Sequence, residues 1–194
     1  IRDYKVTGVQ TCALPICGRK QFFNRDILTD PLLHDGEQSL VIVEGEMDAL
    51  AVITAGHSWV VSVPDGAPPP RNAEGQLIPV PQTADDINPE TDTKFSYLLA
   101  DWDLLSEVKK IIIATDADEA GVRLAEELVR RLDRVRCSFV TFPEGCKDFN
   151  EVIVRDGETA VLGLLNQSKP SPVDGVFKLS DFPPVEPLKT VSTG

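Results

Sequence analysis

The sequence has little with which to build a thiolate or imidazole site. Its 194 residues include four cysteines and two histidines. Cys12, Cys17, Cys137 and Cys146 make no C-x-x-C pair, and His34 and His57 lie far apart, so a structural zinc site is not expected. Disulfides are not expected either, and a reducing cytoplasm is the default setting. No apolar run reaches the length of about 18 residues needed to span a bilayer. A basic-then-apolar leader with a small-residue cleavage site is also missing, so neither membrane nor secretion is indicated. Positive charge is scarce: 19 Lys and Arg against 31 Asp and Glu give a net charge of −12. DNA binding usually rests on a basic face, so the charge alone argues against nucleic acid. Carboxylates clustered around a divalent metal would produce the same balance, and both readings stand until the motifs are placed.

What is present suits a globular protein. Hydrophobic residues make up 42% and charged residues 26%, enough for one ordinary domain with extensions. The two ends look foreign to that domain. Residues 6–16, Val-Thr-Gly-Val-Gln-Thr-Cys-Ala-Leu-Pro-Ile, resemble a short-read sequencing adapter translated in one frame, so residues 1–17 are expected to be non-native. The start at Ile1 fits a fragment. Residues 169–194 carry five prolines and no apolar period, which reads as a linker toward a further domain.

Between the ends, strands alternate with helices. Leu40–Val43 is short, β-branched and uniformly apolar, the pattern of a strand buried on both faces. Met47–Ala55 reads as a helix stopped by Gly56, and Trp59–Val63 as a strand closed by the turn Pro64-Asp65-Gly66. Residues 64–94 hold seven prolines and read as a long surface insertion with a short hairpin near Gly75. Phe95–Val108 has helical spacing at Phe95, Leu98, Leu99, Trp102 and Leu105. Ile111–Thr115 is a strand. A helix over 119–133 is expected to bury Val122, Ala125, Leu128, Val129 and Leu132, with Glu126/Arg130 and Glu127/Arg131 pairs outside. A strand over 136–142 and helices over 147–155 and 157–167 complete the domain, set at 18–168. The alternation predicts an α/β fold with a mainly parallel four-stranded sheet flanked by helices.

Ligands of such sheets bind at the carboxyl ends of the strands. Glu44 stands at that end of the first strand, and Asp116 and Asp118 at that end of the third. Residues i and i+2 leaving a strand can point the same way and share one hard cation, and magnesium takes such oxygen ligands. A lone Asp-x-Asp is more often a turn or helix N-cap, and Asp116 alone could cap the helix over 119–133. The combination is stronger, because clustered carboxylates with no nearby Lys or Arg repel unless a metal or proton offsets them.

These residues carry a family resemblance. Glu44-Gly45-Glu46-x-Asp48 followed by Asp116-x-Asp118-x-x-Gly121 resembles the Toprim domain, a Rossmann-like fold shared by bacterial-type primases, topoisomerases, recombination mediators and nucleases. Lys147-Asp148-Phe149-Asn150-Glu151 is similar to the Lys-Asp-Ala-Asn-Glu motif of phage-type primase-helicases and their relative Twinkle, with Phe149 where Ala is usual. Ser62-Val63-Pro64-Asp65-Gly66-Ala67 resembles the loop after the second strand, where Asn is commoner than Asp65, and Phe22-Phe23-Asn24-Arg25 the lead-in to the domain.

The resemblance implies a DNA primase that makes RNA primers on single-stranded DNA from ribonucleoside triphosphates, with a fused helicase domain downstream. Glu44 would act as general acid or base, and Asp116, Asp118 and Asp148 would bind Mg²⁺ or Mn²⁺. Glu46 and Asp48 would support the ligands or be structural. Lys147 and Arg123 are candidate phosphate or nucleic-acid contacts. Arg123, Arg130, Arg131, Arg134 and Arg136 form either a basic stripe or a salt-bridged helix face. Cys137 reads as a buried packing residue, and His34 and His57 as surface or packing residues. No Walker A motif lies within the chain, so it carries no ATPase of that type. The alternatives are a Toprim nuclease using the same carboxylates, and a catalytically silent DNA-binding module.

Overall fold

Leu40–Val43 forms β1, and all four of its side chains are buried. In this computed structural model residues 20–170 are described, apart from 70, 73, 80, 82 and 89. The adapter-like stretch 6–16, Cys12, Cys17 and the proline-rich residues 171–194 lie outside the described residues.

β1 pairs in parallel with β2 (Val60–Ser62) on one side and β3 (Ile111–Ala114) on the other. β4 (Cys137–Phe139) runs parallel to β3, and a two-residue β5 (Lys169–Pro170) closes the edge antiparallel to β4. The order is β2-β1-β3-β4-β5. Four parallel strands agree with the expectation; the antiparallel fifth is an addition, made from the first two residues of the supposed linker.

The helices in chain order are α1 (Pro31–His34), α2 (Glu46–Thr54), α3 (Ser96–Ala100), α4 (Trp102–Leu105), α5 (Glu119–Leu132), α6 (Phe149–Asp156) and α7 (Glu158–Asn166). They cover both faces of the sheet. Leu40, Ile42, Ile111 and Ile113 pack with residues of α1, α3, α4 and α5. Val41, Val43, Ile112 and Ala114 pack with α2, α6 and α7. Alternate side chains therefore enter two separate cores, and that double burial is why β1 and β3 are apolar at every position.

Three local expectations are corrected. The single helix over Phe95–Val108 is broken into a 3₁₀ turn (Thr93–Phe95), α3 and α4. The break is at Asp101, a buried carboxylate that accepts from Arg25 Nε at 2.7 Å and leaves helical backbone angles behind. As a result Leu99 and Trp102, expected inside, are 60% and 41% exposed. On α5 the buried row is Gly121, Leu124, Leu128 and Leu132, and Val122 faces out.

The hairpin near Gly75 is present: Arg71 bridges Leu77, and Gly75 takes a left-handed φ of 77° in the turn. Both histidines pack against carbonyls, His34 on Leu28 and His57 on Ser39. Cys137 and Cys146 are buried free thiols. Among the described residues no helix is long and apolar enough to cross a membrane.

Candidate active site

The chain leaves β1 for β2 on one side, then returns to place β3 on the other side of β1. The strand order therefore reverses between β1 and β3, and a crevice opens beyond their carboxyl ends. Val43 pairs with Ala114 at the last rung. Glu44 follows Val43 directly, and Asp116 follows Ala114 by two residues, so register alone brings both to the mouth of the crevice.

Glu44 is held by the turn after β2. Asp65 and Gly66 both adopt left-handed backbone, with φ of 63° and 57°. That turn aims the Ala67 N–H at Glu44 Oε1, 3.0 Å away. Glu44 Oε2 is buried without a hydrogen-bond partner. Burial, followed by the charges of Asp116 and Asp118, pushes the Glu44 carboxyl above its ordinary range against the opposing backbone bonds of Ala67 and Asp116.

The segment Lys147–Glu151 closes the crevice, and each residue has a defined place. Asp148 caps α6 by accepting from the Glu151 N–H at 2.7 Å. Glu151 reaches back to the Lys147 N–H at 2.8 Å, a variant of the capping box. The Asn150 N–H donates to Asp48 at 3.0 Å. Phe149 is fully buried edge-on to Phe142, so the larger side chain points into the core and leaves the acidic residues alone. The Lys147 carbonyl accepts from the Ala117 N–H, which ties this segment to the loop after β3.

The result is an open cleft of about 440 Å³ walled by Glu44, Glu46, Asp48, Asp65, Asp116 and Asp148, with Lys147 at its mouth. The expectation of carboxylates without a basic neighbour is corrected here. Lys147 Nζ lies 3.1 Å from Asp116 Oδ2 and 3.6 Å from Asp148 Oδ2. Asp48 is buried, and burial with the nearby Asp148 and Asp116 charges raises its carboxyl to about 6. Burial also raises Asp116, opposed by Lys147.

Two expected residues also have structural partners. Asp118, not Asp116, is the N-cap of α5, accepting from the Gly121 N–H at 2.8 Å, and its charge acts on Glu44 and Asp116. Arg123 donates to the Ile78 carbonyl at 2.5 Å and joins α5 to the insertion.

Residues 38–141 match the family model of the Toprim domain. The chain belongs to the Toprim family. Among curated proteins this Toprim chain is 38% identical over 148 residues to the Twinkle homolog protein, chloroplastic/mitochondrial, of Arabidopsis thaliana, covering 74% of the chain and 20% of that protein. It is 39% identical over 139 residues to the Arabidopsis primase homolog protein, covering 69% of the chain and 38% of that protein. It therefore spans well under half the length of either relative. Among solved structures it shares its fold with the RNA polymerase domain of Mycobacterium tuberculosis primase DnaG, at a TM-score of 0.51 and 20% identity over 79% of this chain and 43% of that one.

The Toprim cleft suits a hard cation in the kind of donor it offers, since its walls present carboxylate oxygens. Among the described residues no three side chains stand close enough to cage an ion as they are. The Lys147 ammonium lies between Asp116 and Asp148.

Sequence reasoning missed two lysines at Asp65, on the turn that holds Glu44. Lys20 pairs with Asp65 at 3.1 Å, and Lys94 donates to the Asp65 carbonyl at 3.2 Å. Burial and the charge of Lys20 lower the Lys94 amine below its usual range. Lys94 ends the proline-rich insertion, and no local pattern marks it.

The five arginines divide. Arg130 and Arg131 pair with Glu126, Glu127 and Asp92. Arg136 caps carbonyls of Leu105, Val108 and Leu132. These three arginines serve the fold, which favours the salt-bridged reading of that face.

Proposed function

We propose that this Toprim domain is the catalytic domain of a DNA primase of the primase-helicase type, making RNA primers from ribonucleoside triphosphates on single-stranded DNA. The observation that carries the reading is the convergence of Glu44, Asp116 and the Lys147–Glu151 segment on the crevice where the strand order reverses. The names of the two curated relatives support it, and the Twinkle homolog supports a fused helicase domain.

Asp116, Asp118 and Asp148 would hold Mg²⁺ or Mn²⁺, Asp118 from the N-cap position of α5. Bound there, the ion would stabilise negative charge on the reacting phosphate. Glu44 has a raised affinity for protons, chiefly from burial. It would take the proton of the primer 3′-hydroxyl as that oxygen bonds to the α-phosphorus and pyrophosphate leaves. Asp48 would hold the start of α6, and so Asp148, in place through Asn150. Lys147, half-exposed at the mouth, would meet incoming phosphate.

The test is ribonucleotide incorporation on single-stranded DNA by a full-length protein carrying this domain. Glu44→Gln should lower primer synthesis by about 100-fold or more, with the fold unchanged by circular dichroism. Primer synthesis at the parent level in Glu44→Gln would refute the assignment. Cleavage of DNA without synthesis by the parent would move it to the nuclease class.

A further inference from the structure

Lys147 is pinned by its backbone and loose at its tip. Its N–H donates to Glu151 Oε2 and its carbonyl accepts from the Ala117 N–H, both at 2.8 Å. Those bonds do not depend on the side chain. The side chain is 52% exposed, and its ammonium bends back over the cleft to Asp116 Oδ2 and Asp148 Oδ2. Among the cleft walls it is the sole cation. Lys20 and Lys94, the nearest other amines named above, are engaged with Asp65.

We propose that Lys147 is a tethered counter-cation: its ammonium occupies the gap between Asp116 and Asp148 in the metal-free protein, and a divalent ion must swing it out to bind. This rests on the reading that these carboxylates bind metal. The physical case has three parts. Like charges held together in a partly buried cleft repel, and one ammonium shared between two carboxylates relieves that repulsion. Anchoring the residue at both backbone groups keeps the ammonium at high effective concentration beside its partners. A half-exposed ion pair is screened by water, so swinging it out costs little compared with what a divalent ion gains. Lys147 thus offsets the repulsion between Asp116 and Asp148 and sets how tightly and how fast metal exchanges.

The experiment is calorimetric titration of the 194-residue chain with Mn²⁺, beside thermal melts in chelator. Parent, Lys147→Met, Lys147→Arg, Lys94→Met and Asp116→Asn are compared. Lys147→Met should bind Mn²⁺ about tenfold more tightly, because one competing charge a few ångströms from the ligands is gone. In chelator it should melt below the parent, and saturating Mn²⁺ should reverse that order. Lys147→Arg should stay close to the parent, and Lys94→Met within about twofold of it, since it removes equal charge without touching the ligands.

Equal or weaker binding by Lys147→Met, beside a parent that binds Mn²⁺ and an Asp116→Asn variant that does not, would overturn the counter-cation and leave the metal site standing. Equal tightening by Lys94→Met would also overturn it, because the effect would then be bulk charge. No Mn²⁺ binding by any variant would remove the metal site and this inference together.

Discussion

A β-carbon on Gly121 would stand 2.1 Å from the carbonyl oxygen of Asp116. The first turn of α5 is pressed against the backbone that carries the acidic site, and Thr115 Oγ1 fastens the contact by donating to the Gly121 carbonyl at 2.7 Å. The partner in the close approach is backbone, so it cannot swing aside. Gly121→Ala should therefore lower the unfolding free energy by about 3 kcal/mol, read by urea titration. A variant as stable as the parent would show that the helix has room to retreat.

Asp48 predicts a pH dependence. Its carboxyl is raised from the ordinary 3.8 to about 6 in the fold, chiefly by burial. Between those values the folded protein binds more protons than the unfolded chain, so stability falls as pH rises through the window and stays lower above it. The full difference corresponds to roughly 3 kcal/mol. Asp48→Asn keeps an acceptor for the Asn150 N–H and removes the charge. In chelator, it should be more stable than the parent at about pH 7.5, and the gap should close near about pH 4. A gap of equal size at both pH values would contradict this account.

Phe149 stands where the resembling motif usually has Ala. It is fully buried, with its ring centroid 5.2 Å from that of Phe142. Truncation to Ala should cost about 3–5 kcal/mol, since the lost volume lies in the core between the sheet and α2, α6 and α7. Asp148 keeps its cap through backbone geometry, so Mn²⁺ affinity of the folded variant should change by less than about twofold. A larger change would mean that the core sets the ligand positions more tightly than the cap does.

Arg131 fastens the end of the insertion to α5. Its Nε and Nη2 reach both oxygens of Asp92, at 2.9 and 3.0 Å, and its guanidinium lies 4.0 Å from the Phe95 ring centroid. It also pairs with buried Glu127. Arg131→Met should destabilise the protein by about 3 kcal/mol, because it leaves buried Glu127 with only the more distant Arg130 and takes the partner from Asp92. Limited proteolysis should then cut first within residues 64–94. Arg131→Lys should restore less than half of the loss, since an ammonium does not reproduce the planar fork. Full rescue by Lys would show that only charge matters there.

The strands were legible because their pattern is local. Leu40–Val43 has the bounds that its apolar run indicates, Ile111–Ala114 stops one residue short of the expected Thr115, and burial on both faces explains both runs. The break at Asp101 was not legible: it depends on Arg25, 76 positions away. The exposed face of α5 was misjudged by a small rotation. Val122 and Leu124 suit a helical stripe equally well, and the contact of Gly121 with Asp116 selects Leu124.

In the site, short motifs marked the acidic residues and their elements but not what they do to one another. Asp118 and Asp148 each accept the N–H three residues on, a sequential pattern open to inspection in the chain. The Lys147 ammonium on Asp116 spans 31 positions, and Asp48 on Asn150 spans 102. Lys20 and Lys94 meet at Asp65 across a proline-rich stretch with no periodic signal.

The sequence by itself determined the alternation of strand and helix, the Toprim family and the chain positions of the carboxylates, because apolar periodicity and short motifs act over a few residues. Only the tertiary structure decided which carboxylates share the cleft and that a lysine sits among them. Those outcomes depend on the strand order β2-β1-β3-β4, which brings distant loops to one end of the sheet. Electrostatic energy depends on separation in space, and separation along the chain does not reveal it.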